Sequence, residues 1–282
     1  MPQNCCMDQN QPPPDKLVPD RIHAAVQANK AALQGLLNAV RNTLETLRPE
    51  LEYLRDSWVK MAPSLADLIV AWDKMPGEYR DALMVVANEG WYLDPDEMAF
   101  DEPARIARAY SDGRHQEAEN QLLAHFRARL PGIEDALIQQ FPARTAILRQ
   151  AFEAHRQGLY FVSVPTLFTQ IDGVCMDIST HHLFMKGRGE TRTGVAPYVD
   201  QIADNALSQA MLAPFLEPHA VMLSEKQRAP GFSKLNRHMV LHGESFDYGT
   251  EANSLRAVSL LFYAARALSE FGTTPTAAPK TP

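Results

Sequence analysis

Cysteine is scarce in this chain, with three in 282 residues. Cys5 and Cys6 are adjacent in a polar stretch and Cys175 stands in an apolar helical pattern, so a disulfide framework is excluded and reduced thiols are expected. Long hydrophobic runs are missing too: no segment reaches the ~18 uninterrupted apolar residues of a spanning helix, and no membrane partnership is expected. The opening MPQNCCMDQNQPPPDK has neither a basic nor an apolar region; it does not read as a secretory signal, and a cytoplasmic location is expected. Positive charge is in deficit. Twenty-seven Lys and Arg against 34 Asp and Glu give a formal charge of −7, which excludes a surface that grips nucleic acid everywhere and leaves room for a local basic site. Strict apolar–polar alternation, the mark of half-buried strands, is hard to find anywhere.

What is present is apolar spacing of three or four residues, in a chain whose 45% apolar and 22% charged shares suit a folded protein. At roughly 150 residues per domain the length allows two domains or one large one. The fold class expected is all-α. Residues 1–19, rich in Pro, and 273–282 read as loose tails; 20–141 read as an amino-terminal helical region of no assigned family, and 142–272 as a carboxy-terminal helical bundle.

Within the first region, helices are expected over Arg21 to Leu47, with a stripe including Leu33, Leu36, Leu37 and Val40, and over Leu51 to Trp72. After the break at Met75-Pro76-Gly77 come shorter ones near 78–88, 103–111, 115–130 and 133–140, with Pro or Gly at the boundaries. In the second, Ala143 to Gln157 is followed by a helix capped by Ser163, with Pro165 in its first turn and Val164, Phe168, Ile171, Cys175 and Ile178 on its buried face. A loop from Leu183 to Pro197 carries Lys186, Arg188 and Arg192; helices then follow over Tyr198 to Leu212, Ser233 to His242 and Glu251 to Phe271.

The chemistry concentrates in Gly231-Phe-Ser-Lys-Leu-Asn-Arg-His-Met-Val-Leu-His242-Gly243. Phe232, Leu235 and Met239 set an apolar stripe whose next position is His242, so His242 is expected to face inward or into a groove, with Gly243 ending the helix. An imidazole moves protons near neutral pH and a guanidinium holds phosphate, a pairing suited to phosphodiester cleavage. Arg237 lies five residues earlier, about 140° around a straight helix, so the two need help to meet at one phosphate. The bland readings are a core histidine before a glycine cap and a surface arginine paired with Glu244 or Asp247. His238 and His242 also have the i, i+4 spacing of two metal ligands, but no Glu follows His238 as the H-E-x-x-H pattern requires, and no metal is expected. His181 and His182 read as the frayed end of a helix, and Trp58, Trp72, Trp91, Tyr92 and Phe100 as packing residues rather than base-stacking ones.

Arg237-His238-Met239-Val240-Leu241-His242 resembles the R-x4-H motif of HEPN domains, in the form with a polar residue after the Arg. NRHMVLHGESFDYGT and the helix after it are similar to the carboxy-terminal part of bacterial proteins of that kind. The resemblance covers residues 142–271 and is densest over 236–261. It implies a dimeric bundle of four or five helices acting as a metal-independent endoribonuclease in toxin–antitoxin or anti-phage systems. Arg237 and His242 would then be the catalytic pair and His238 the polar second position. An acidic residue of an earlier helix, Asp172 or Asp177, would assist. Lys234 and Asn236 would be RNA contacts. RNA as substrate, a homodimer, an antitoxin or other protein partner, and no cofactor complete the expectation. The alternative is a non-catalytic helical scaffold that binds protein or nucleotide.

Overall fold

The computed structural model describes residues 33–43, 45, 46, 65–93, 98–185 and 191–272, and every regular element among them is helical, with no strand. Two compact units divide the chain, residues 1–69 and 70–282. In the first, residues 33–43, 45 and 46 are helical, and Leu33, Leu36, Leu37 and Val40 of the expected stripe are exposed. The tails, Cys5, Cys6, Trp58, Lys186 and Arg188, together with most of the two long amino-terminal helices, lie outside the described residues.

The longer helices are α1 (Leu65–Asn88, of the second unit from residue 70), α2 (Glu102–Ser111), α3 (His115–Gln140), α4 (Thr145–Arg156) and α5 (Tyr160–Ser179). Short α6 (Ala196–Ile202), α7 (Ala206–Leu212) and α8 (Arg237–Leu241) precede a long last helix, α9 (Glu251–Glu270). Helix α9 starts where Thr250 turns extended and its hydroxyl accepts the Asn253 N–H, the usual device for an orphan amide at a helix start. Its middle, from Ser254 to Ala265, is buried all round apart from the partly exposed Arg256, as a helix at the centre of a bundle must be. It packs against α5 and α3 and touches α7, while α4 lies along α5 and α2 along α3. The second unit thus draws its core from both sides of residue 141.

Several helix ends differ from the spacing-based expectation, each for a local reason. Pro131 and Gly132 do not stop α3, because Leu130, Ile133 and Leu137 are buried on the face that already holds Ala118, Leu122 and Phe126; burial of that stripe outweighs the lost amide. Likewise α1 runs through Pro76. Tyr198 to Leu212 is two helices, because the Asn205 side chain accepts the Ser208 N–H and restarts the chain as α7. Helix α5 begins at Tyr160, three residues before the expected cap: Ser163 is buried and its hydroxyl meets Ser254 instead. Pro165 then lies inside α5 and has no N–H for the Phe161 carbonyl. The Tyr248 hydroxyl donates to that carbonyl in its place, at 3.2 Å.

Two clusters of polar groups inside the bundle are matched. His155 Nδ1 and Ser163 Oγ both meet Ser254 Oγ, at 2.8 and 2.9 Å, joining α4, α5 and α9. Arg256 of α9 donates to Glu119 Oε1 (2.6 Å), the Glu89 carbonyl (2.9 Å) and Asn253 Oδ1 (3.1 Å), and its guanidinium lies 5.0 Å from the Trp91 ring centre. The same Glu119 oxygen accepts from Trp91 Nε1 and Tyr110 Oη. Gly90 turns the chain beneath this cluster with φ +89°, and a Cβ there would meet Arg256 Cδ at 2.9 Å.

Two outcomes follow from this packing. Glu119→Ala removes the main partner of a nearly buried charge and should cost about 3 kcal/mol, whereas Glu251→Ala, which frees the exposed Arg127, should cost under about 1 kcal/mol; denaturant titration of the full chain compares them. Burial holds the His155 and His125 imidazoles below their ordinary value. Because the unfolded chain takes up those protons first, stability is complete above about pH 6.5 and falls as the pH drops below it. A denaturation midpoint unchanged between pH 7.5 and 5.5 would contradict this.

Candidate functional site

Asn236 sets the geometry of the motif. It is extended, its Oδ1 accepts the Met239 N–H at 3.1 Å, and its Nδ2 donates to the carbonyls of Ala220 (2.8 Å) and Leu223 (2.9 Å). One side chain thus starts α8 and fastens it to the turn at Ala220–Met222. Leu235 and Val240 are buried beside it. The helix closes at His242, Gly243 takes φ +70° as a helix-ending glycine does, and the Glu244 N–H returns to the Met239 carbonyl at 2.8 Å.

This reversal carries the Glu244 carboxylate back to the helix. Its Oε2 accepts from Arg228 Nη2 at 2.9 Å and its Oε1 lies 3.0 Å from His238 Nδ1, an ion-pair distance outside hydrogen-bond geometry. The hydrogen bond from Arg228 holds the Glu244 carboxyl below its ordinary value; desolvation opposes this, and the charges of Arg228 and His238 add to it. Glu244 is therefore an anion beside His238. The His242 ring sits 4.2 Å from that of His238, centre to centre, tilted by 43°.

His242 is exposed, not turned inward. The stripe that suggested otherwise runs from Phe232 and Leu235, but both precede the helix, which begins only at Arg237; their phase does not carry through the extended Asn236. Arg237 is half-buried. Its guanidinium lies 5.3 Å from the Phe184 ring centre, and its Nε is buried with no hydrogen-bond partner among the described residues. Neither expected carboxylate takes it: Glu244 is held by Arg228 and His238, and Asp247 accepts from Ser245 Oγ at 2.8 Å. Beside Arg237 and His238 opens a cavity of about 320 Å³ whose walls include Phe184, Val221, Leu223 and Gln227.

Phe184 is held at this cavity by its own backbone, whose N–H donates to Asp172 Oδ1 at 3.1 Å; the other Asp172 oxygen is 3.2 Å from His182 Nδ1. Asp177 is taken by Arg144, with bonds of 2.9 and 2.7 Å. Of the two acidic candidates, Asp172 is thus the one that supports a cavity residue. The expected RNA contacts fare differently. Asn236 is 1% exposed and both ends of its amide are engaged, so it fastens the helix and cannot face a ligand. Lys234 Nζ donates to the Asn88 carbonyl (3.0 Å) and to Glu89 Oε1 (2.8 Å), so its charge is spent at the end of α1. Arg192 is paired with Asp200. His181 and His182 follow the end of α5, where Thr180 is left-handed at φ 61°.

Glu244 as the partner of His238, Arg228 behind it, and Phe184 under Arg237 were not foreseen. Arg228 and Phe184 approach the motif from segments with no periodic relation to it, so only the folded chain brings them there. Among the described residues no group of three or more His, Cys, Asp and Glu side chains gathers as metal ligands, and no helix is long and apolar enough to cross a membrane. No family model, no curated protein and no solved structure matches the chain.

The arrangement offers one guanidinium with an unspent buried donor, two imidazoles in contact and a fixed carboxylate behind one of them. Such a set can hold an anion and move protons beside it. Because Asn236 carries a cap and two fastening bonds, Asn236→Ala should cost about 2 kcal/mol of stability, while Lys234→Ala should cost under about 1 kcal/mol. Thermal unfolding of the two variants checks the order; equal losses would contradict the assignment.

Proposed function

We propose that the chain is a metal-independent endoribonuclease of HEPN type, acting in toxin–antitoxin or anti-phage defence. The observation that carries this reading is the buried, unpartnered Nε of Arg237 at a cavity it shares with His238, whose ring touches that of His242. A guanidinium with a donor to spare invites a phosphate oxygen, and the imidazoles stand where a proton must be taken and another given.

In the reaction, a ribose 2′-oxygen attacks the adjacent phosphorus and the bond from phosphorus to the 5′-oxygen of the next nucleotide breaks. The 2′-proton goes to one imidazole and the departing 5′-oxygen takes a proton from an imidazole, leaving a 2′,3′-cyclic phosphate. His242 serves as general acid or base, His238 is kept oriented by Glu244, and Arg237 neutralises the charge that grows on the phosphate oxygens. The nucleophile belongs to RNA itself, so no metal-bound water is required and DNA is not a substrate. A homodimer whose two α8 segments face one cleft, with an antitoxin or other protein partner controlling it, belongs to the same reading.

The scaffold reading draws on a different observation, the exposed apolar side chains of Leu159, Phe161, Val162 and Phe246. Incubating the full chain with mixed RNA in EDTA separates the two. The expected result is cleavage leaving cyclic phosphate ends, with Arg237→Ala and His242→Ala slower by about 100-fold or more. Cleavage that needs a divalent ion, or that His242→Ala leaves unchanged, would refute the mechanism. A monomer, by sedimentation, that cleaves as fast as any larger species would remove the dimer.

A further inference from the structure

The cavity itself is unaccounted for by the chemistry of the phosphate. We propose that it receives the base of one unpaired nucleotide beside the cleaved phosphate, and that Gln227 sets which base is preferred. This rests on the endoribonuclease reading and names the part of the RNA that the site would select.

Size is the first argument. About 320 Å³ lies at the low end of small-molecule sites, which span roughly 300–1,000 Å³. That is room for a single nucleotide and not for a helix of paired strands. The walls are the second. Val221 is buried, Leu223 is half-buried, and the Phe184 ring carries the Arg237 guanidinium against it. Apolar walls and a guanidinium plane are what an unstacked base uses when it leaves its neighbours. A base in a duplex would first have to be pulled from its stack and its partner.

Gln227 is the third argument. Its Oε1 accepts both the Ser224 N–H, at 3.1 Å, and the Ser224 hydroxyl, at 2.9 Å. A backbone N–H can only donate, so this contact fixes which end of the amide faces Ser224. What Gln227 has left is its NH₂ group, for which the described residues supply no partner, on an exposed side chain that lines the cavity. The site therefore offers donors. Guanine, with O6 and N7 side by side, and uracil, with O4, present acceptors to such a group; in place of that oxygen adenine and cytosine carry an amino group, which sets donor against donor and leaves adenine only N7 to accept on the same edge.

The test uses the full chain and the four nucleoside 3′-monophosphates, with inorganic phosphate as the control, read by calorimetry. The guanosine and uridine nucleotides should bind at least about fivefold tighter than those of adenosine and cytidine, and all should bind better than phosphate alone. Gln227→Leu should erase the difference between bases, and Gln227→Glu, which offers only acceptors, should turn it toward cytidine and adenosine. Cooperative thermal unfolding of both variants, with Gln227→Leu lowered only by the loss of its exposed bonds to Ser224, shows that the fold is intact. In the cleavage assay, an unpaired strand should be cut faster than the same sequence in a duplex, with guanosine or uridine at the favoured position. Base preference in binding without any RNA cleavage would sustain the cavity's role and end the endoribonuclease reading. Cleavage with no preference among bases, or nucleotides that bind no better than phosphate, would end the cavity's role and leave the endoribonuclease reading standing.

Discussion

The charge on Arg256 is the point on which the second unit depends. Moving an unpaired guanidinium out of water costs several kcal/mol, and a bundle built on a helix buried all round cannot tolerate that unless every donor finds a partner. Glu119 from α3, the Glu89 carbonyl after α1 and Asn253 from α9 supply the partners, while Trp91 covers the flat face. Glu119 in turn must satisfy Trp91 and Tyr110, so α1, α2, α3 and α9 are tied at one carboxylate. Burial and that neighbouring carboxylate together raise the Tyr110 hydroxyl well above its ordinary value, keeping it a donor.

The motif inherits its position from this knot. Five residues are too few to hold helical shape by themselves, and α8 is fastened on its amino-terminal side by two side chains that precede it. Lys234 reaches the Asn88 and Glu89 end of α1, the same turn that receives Arg256; Asn236 reaches the turn at Ala220–Met222. That turn is anchored through His219, whose Nε2 meets the Pro214 carbonyl and must therefore donate, while Nδ1 meets Tyr92 Oη. A buried imidazole with both nitrogens engaged thus stands behind the half-buried His238 and the exposed His242, whose task in the proposed reaction is to exchange protons.

The helical class was legible because three- and four-residue spacing persists along most of the chain, and α9, with its Thr cap and dense apolar middle, matches the expected bounds almost to the residue. Breakers misled where burial was strong, as at Pro131, and a cap was overlooked where its signal was a single Asn, as at Asn205. In the site, Gly243 and the closeness of His238 to His242 follow from local geometry, which sequence carries well. The exposure of His242 does not, since it hangs on the extended Asn236 that resets the helical phase. Phe184, Arg228 and the engagement of Lys234 are long-range facts. Nothing in their local spacing encodes them.

Pro165 has a consequence of a different order. A proline six residues into a helix looks like a flaw, yet the carbonyl it leaves free is the one that Tyr248 grips, where the Phe161 and Tyr248 rings meet edge to face at 5.1 Å. Gly249 permits that approach, since a Cβ there would fall 2.5 Å from the Phe161 ring. Any residue that restored the amide at 165 would compete with Tyr248 for the same oxygen. The helix would become more regular and the loop behind the histidines would lose its moorings, so at this position selection for a better helix and selection for a well-placed loop pull in opposite directions.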